Sequence, residues 1–467
     1  MIFFKKYIKN LEKYDTITVQ KKGKGIKMEE AVIMELRHTE TKHKDLFDLL
    51  SKAVSAFECV KESENRLLKA GFEKIDYAKE WNLAPGGKYV INHHDTTLFA
   101  FSVGENYKTG DMLRLAAAHT DYPCFRLKPN PDFKTDVYAQ VNMEVYGGPI
   151  LNTWLDRPLG VAGRVAVRSN DVFKPEMKFY VSKKPVMIIP NLAIHMNPEV
   201  NKGVELNRQT DLMPIIDALS KEETSTDYFL SFLSEELEVA KEDILDFELN
   251  TYVMEEPSFV GIKDSMISSP RLDNQTSVQA LLDGIMYGGR KNGINVIAFF
   301  DHEEIGSRSK QGAASILLHD MMERVLRNLG ANEEEIARVI YEAMLLSVDV
   351  AHGLHPNKVA KMDITNKPVL GQGFCIKEAC SQSYATDAEA IAILCQICDN
   401  NKIPYQKFAN RSDMPGGGTL GAIASAILPV KTVDLGIPLL SMHSARELMG
   451  SADMDALASA VTAYFSA

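Results

Sequence analysis

Five strand-like runs in this chain each stop at a residue that can hold a metal ion, and this repetition constrains the fold more than any other feature. LAAAHTD ends at His119 and Asp121, SSPRLDN at Asp273, and VIAFFDHEE at Glu303 and Glu304. LLSVDVAHGLHPN ends at Asp349, His352 and His355, and PLLSMHSARE offers His443. One such ending is ordinarily a solvated loop. Five from separate segments require a fold that gathers strand ends, and α/β sheets do so, because their sites form outside the carboxyl ends of the strands.

The rest of the pattern agrees. After Pro270 the sequence alternates: helix at 277–287, strand at 296–300, helices at 313–329 and 335–345, strand at 345–350, helix at 385–398, strand at 433–435, helix at 444–464. Residues 43–72 carry apolar positions at helical spacing and end at Gly71. GGKYVIN and TTLFAFSVG read as two strands. Between about 126 and 255 the texture changes to short β-like pieces (RVAVRS, KFYVS, VMIIP), many Pro and Asn, and an acidic helical stretch near 232–246. At 467 residues the chain exceeds one ordinary core. The expected fold class is α/β: a mixed-sheet domain in two pieces, 41–125 and 256–467, with a β-rich domain at 126–255 inserted and a basic leader over 1–40.

A formal charge of −11 argues against nucleic acid as a partner. No apolar run approaches the roughly 18 residues of a membrane span. Six sparse cysteines form no framework, which implies reduced thiols and a cytoplasmic location.

Glu303 and Glu304 carry the chemical argument. Two carboxylates facing one low-dielectric space require a proton or a cation. In extended backbone, adjacent side chains point in opposite directions. One glutamate could then bind metal while the other faces water as a general base. Imidazole and carboxylate donors without thiolates suit zinc, manganese or cobalt.

In order and spacing, AAHTDYPCFRLKP, IPNLAIHMN, SPRLDN, FFDHEEIGSRS, SVDVAHGLHPN, IKEACSQSYATD and SMHSARE resemble the M18 family of metalloaminopeptidases, over about residues 44–467. The resemblance implies a zinc-exopeptidase type of catalytic domain and an aminopeptidase acting on peptides, with a preference for N-terminal Asp or Glu in its best-known members. It implies two divalent ions, zinc or alternatively manganese or cobalt. His119 and Asp349 would be terminal ligands of one ion, Glu304 and His443 of the other, and Asp273 the bridge. Asp121 would hydrogen-bond His119, Glu303 would be the general base, and Asp273–Asn274 would be a cis peptide bond.

The resemblance also implies a homo-oligomer, dimers built through the inserted domain and usually assembled into a dodecamer. His195 would reach a neighbouring subunit's site, or else be a buried histidine. Lys377 would face the acidic side chain of the substrate's first residue, or else be a salt-bridge partner. His352 would contact substrate or belong to a structural turn. The chain departs from the family pattern at GGPILNTW (147–154), DMPGGGTLG (413–421) and Lys358. The first two departures bear on the substrate pocket. A di-metal deacylase or carboxypeptidase, and a non-catalytic scaffold, are the alternative readings.

Overall fold

The computed structural model describes residues 19–21, 24–26 and 43–467, apart from 204, 221, 222, 224, 225 and 415. Two compact units divide the chain, residues 1–48 and 49–467. In the first, Val19–Lys21 pairs antiparallel with Lys24–Ile26. The leader expected over 1–40 otherwise lies outside the described residues.

The second unit holds a nine-stranded mixed sheet. Its strand order is Tyr405–Ala409, Phe374–Glu378, Lys431–Gly436, Met344–Val348, Leu113–His119, Ile294–Phe300, Thr97–Val103, Lys88–His93 and Glu73–Lys74. The four strands from Lys431–Gly436 to Ile294–Phe300 run parallel. Ile294–Phe300 and Met344–Val348 are buried throughout. Helices cover both faces, which is why these strands read as unbroken apolar runs. Alternate residues serve opposite faces. Leu113, Leu115 and Ala117 join the core formed with helices Leu317–Asn328 and Glu333–Glu342. On the other face Arg114 donates to the Tyr464 carbonyl, and helix Leu272–Tyr287 packs against helix Ser451–Ser466.

A six-stranded sheet is antiparallel throughout, in the order Glu176–Val181, Leu159–Val167, Ile244–Val253, Cys124–Thr135, Tyr138–Tyr146 and Ile215–Ala218. It has its own core, centred on Phe125, Trp154, Val161 and Leu249. A five-stranded sheet joins Ser258–Val260, Met266–Ser269, Glu447–Gly450, Pro438–Leu440 and Ala351–His352.

Several expected elements differ. The helix read over 43–72 is two helices, Lys44–Lys52 and Ala56–Lys69. The acidic stretch is α-helical only over Tyr228–Leu237; Glu238 turns left-handed (φ 53°), Lys241–Asp243 is a single 3-10 turn and Ile244–Val253 is strand. The helix read over 444–464 begins at Ser451, because Glu447–Gly450 is taken as a strand between Met266–Ser269 and Pro438–Leu440. Pairing on both sides outweighs the local helical pattern. Helix Leu420–Ile427 opens at the end of the PGGGTLG turn, and strands Phe374–Glu378 and Tyr405–Ala409 escaped the sequence reading. Among the described residues no helix is long and apolar enough to cross a membrane.

Candidate metal centre

The site grows out of the parallel strands. Leu113–His119 and Ile294–Phe300 are in register with His119 opposite Phe300, so His119 and the segment after Phe300 emerge together. Met344–Val348 flanks the same strand, and Asp349 follows it directly. Asp273 comes from the start of helix Leu272–Tyr287, where the backbone is non-helical and the Asp273–Asn274 peptide bond is cis. His443 comes from a loop and is itself left-handed (φ 65°).

Glu303 and Glu304 do not sit in extended backbone, as the sequence reading assumed. His302 turns left-handed (φ 63°) and the two glutamates form a 3-10 turn closed by Gly306. A tight turn lets neighbouring side chains reach the same space. Both glutamates accordingly offer an oxygen within 4.8 Å of a His119 nitrogen and of each other.

The spacing of the donors tests whether a metal fits. His119 Nε2 lies 3.3 Å from Asp273 Oδ1 and 3.5 Å from Asp349 Oδ1. His443 Nε2 lies 3.4 Å from Asp273 Oδ2 and 3.5 Å from Glu304 Oε2. Direct charge-assisted hydrogen bonds would be shorter, about 2.7–2.9 Å. Donors about 2.0–2.1 Å from a tetrahedral zinc stand about 3.3–3.4 Å apart. Asp273 turns one oxygen toward each histidine, as a bridging carboxylate would. Asp273 Oδ1 and Glu304 Oε1 are buried and accept no hydrogen bond. The residues present fit a metal.

Electrostatics agree. Burial pushes Glu303 up to about 8, reinforced by Asp349 and Asp121. Burial, with Asp273 beside it, holds Glu304 well above the carboxylate range. Burial opposes charge on His119, but Asp121, Asp273 and Asp349 outweigh it and hold the imidazole well above its usual value. Acids and imidazoles raised together mark an excess of negative charge that cations relieve.

The groups line a cavity of about 810 Å³, which also reaches Lys377, His352, His355 and Tyr384. Lys377 is buried, donates to the Val350 carbonyl at 3.0 Å and lies 3.9 Å from Asp349 Oδ2. Burial works against its charge, yet Asp349 and Asp434 keep its pKa above the ordinary lysine value. His352 is exposed on the cavity wall. His195 is exposed, so the buried-histidine reading is wrong, and it is not among the residues lining this cavity.

Asp121 departs in part from expectation. His119 Nδ1 faces the main-chain oxygen of Asp121 at 3.0 Å, closer than the carboxylate at 3.4 Å. The carboxylate accepts instead from the Glu303 and Glu304 amides and from the Tyr146 hydroxyl, at 2.7 Å for the last. Sequence reasoning missed three further residues. Tyr146 holds Asp121. Asp434 accepts from Thr419 Oγ1 at 2.7 Å and the Ala385 amide at 2.6 Å, tying two cavity-wall loops to one strand. Glu447 accepts from the Asp273 and His443 amides. Only Glu447 had a nearby signal, the acid four residues after His443.

Comparisons with known proteins follow the same line. The family profile described as aminopeptidase I zinc metalloprotease (M18) matches residues 49–465. A probable M18 family aminopeptidase 2 of Clostridium novyi is 43% identical over 410 residues, covering 88% of this chain and 95% of the relative. Among solved structures, a chain from the complex of Ape4 and Nbr1 superposes with a TM-score of 0.84 at 32% identity, over 90% of this chain and 84% of that one. The S. cerevisiae mApe1 dodecamer shares the fold, with a TM-score of 0.78 at 23% identity over 92% of this chain and 97% of that one.

Proposed function

This chain belongs to the M18 family of zinc metallopeptidases and is an aminopeptidase, a hydrolase of the first peptide bond; from that premise we propose that its centre holds two divalent ions, zinc in the native enzyme. His119, Asp349 and one oxygen of Asp273 hold the first; Glu304, His443 and the other oxygen of Asp273 hold the second. The observation that carries this reading is the set of four nitrogen–oxygen separations of 3.3–3.5 Å arranged about the two oxygens of Asp273.

When bound, the ions supply Lewis acidity, polarising the scissile carbonyl and lowering the pKa of water. The chain's own residues do the rest. Glu303 takes a proton from the attacking water and returns it to the leaving amine. Asp121 fixes the turn that aims Glu303, because it accepts from the Glu303 and Glu304 amides at 3.1 and 3.2 Å. The His119 Nδ1 contact with the Asp121 carbonyl orients the ring and leaves Nε2 toward Asp273 and Asp349.

Lys377 selects an acidic first residue, supported by its charged position on the wall of the cavity, and His352 contacts the same residue. Residues 126–255 act as a dimerisation domain inserted between 41–125 and 256–467. The dimers build a dodecamer, as the mApe1 structure is one. His195 serves a neighbouring subunit; Leu192, Ile194 and Met196 around it are 50%, 54% and 72% exposed, an apolar loop suited to contact. Six unpaired cysteines support a cytoplasmic location.

The test is hydrolysis of Asp-, Glu-, Leu-, Ala- and Lys-initiated dipeptides after chelation and restoration with zinc, manganese or cobalt. Two zinc ions per chain with restored cleavage are expected; full activity with one ion would overturn the two-ion reading. Lys377→Met should lower cleavage of Asp and Glu substrates about tenfold or more relative to Leu, the scale of a hydrogen bond to a charge. An equal loss on all substrates would remove its selective role.

A further inference from the structure

Asp273 and His443 arrive from irregular backbone on separate segments. Asp273 lies at a helix start with φ −78° and ψ 108°, and His443 is left-handed in a loop. Neither amide's hydrogen bond goes to a main-chain carbonyl. Glu447 Oε2 accepts from the Asp273 amide at 3.0 Å, and Glu447 Oε1 accepts from the His443 amide at 2.8 Å. The glutamate is 3% exposed. Its own backbone is fixed in a ladder, opposite Ser269 in the strand that leads to Asp273.

We propose that Glu447 is a positioning residue that staples the main chains of Asp273 and His443 together and so sets the binding strength of the second metal ion. The inference rests on the two-ion reading above. Two backbone donors converge on one side chain, and only a carboxylate has an acceptor oxygen for each; a glutamine offers one acceptor and an NH2 donor. An apolar replacement takes the acceptor from both amides, the buried one of Asp273 and the half-buried one of His443. The arrangement also has a direction. His119 and Asp349 hold the first ion from strand ends that Glu447 does not touch, whereas His443 has no regular secondary structure to hold it. Loss of Glu447 therefore loosens the second ion more than the first.

The experiment measures zinc content of the full chain by elemental analysis after dialysis against graded zinc–chelator buffers. Wild type, Glu447→Gln and His443→Ala are run in parallel, with melting followed by circular dichroism. Glu447→Gln should keep the first ion and weaken the second about 10–100-fold, the range for residues supporting metal ligands. A parallel weakening of both ions would mark general destabilisation and overturn the proposal. Wild-type retention of both ions in Glu447→Gln, with one lost in His443→Ala, would also overturn it and leave the two-ion reading standing. Retention of both in each variant would overturn the proposal and remove His443 as a ligand, whereas a single ion in wild type would overturn the two-ion reading. If Glu447→Gln does not fold, Glu447→Asp decides: it keeps two acceptors but draws them back by one methylene. Selective loss of one ion supports the staple, and wild-type binding of both overturns it.

Discussion

The two large sheets of this protein are built from similar residues and do different work. In the nine-stranded sheet, neighbouring parallel strands end on the same side, so His119, the Glu303–Glu304 turn and Asp349 meet at one edge. In the six-stranded sheet every pairing is antiparallel, so neighbouring strands end on opposite sides. That sheet instead organises an apolar core and exposes side chains such as Phe173 and Met196 at its periphery. Strand direction, more than composition, decides which sheet can concentrate charge.

The largest expected effect belongs to the parallel sheet. Glu303→Gln should lower kcat by about 10²–10⁴-fold, the range for a lost general base, with fold and zinc content retained. Near-normal turnover would break the assignment of chemistry to that strand end. In the antiparallel sheet, Phe125→Ala removes a fully buried ring stacked edge-on to Trp154 at 5.0 Å. It should cost about 3–5 kcal/mol of stability in chemical denaturation, with kcat per folded molecule little changed. A collapse of kcat without loss of stability would show that the two sheets are not separable in function.

The smallest effect tests the junction. Helix Ala56–Lys69 packs on strands of both sheets and carries Glu58, which burial pushes up to about 7. An acid whose folded pKa lies above its unfolded value favours folding fully below the unfolded value, near 4.5, and loses that contribution as pH rises through about 7. Stability should therefore fall by about 3 kcal/mol across that window, and Glu58→Gln should flatten the slope. An unchanged slope in the variant would assign the pH dependence elsewhere.

Much of this was legible in the sequence. Alternation after Pro270 gave the α/β class, and His119, Glu303–Glu304 and Asp349 stood out because a parallel strand buried on both faces leaves an apolar run before its first polar residue. What escaped depends on contacts between distant segments. Tyr146 and Asp121 are 25 residues apart, and Glu447 and Asp273 are 174 apart; no local pattern announces either pair. The Glu303–Glu304 turn reads as extended chain in the sequence because the left-handed His302 that starts it carries no sequence signature. The strand at Glu447–Gly450 reads as helix because one of its two partners, Met266–Ser269, lies in a distant segment of the chain.

Gly147 is where the antiparallel sheet touches the chemistry. It follows Tyr138–Tyr146 directly with φ 71°, and a Cβ there would stand 3.1 Å from the Glu304 Cβ. Three residues on, Ile150 is 42% exposed. For a designer wishing to re-cut the substrate pocket through the 147–154 segment, this divides the segment sharply. Position 150 is open to exploration, while a side chain at position 147 meets a left-handed backbone and the Glu304 Cβ before any question of substrate arises.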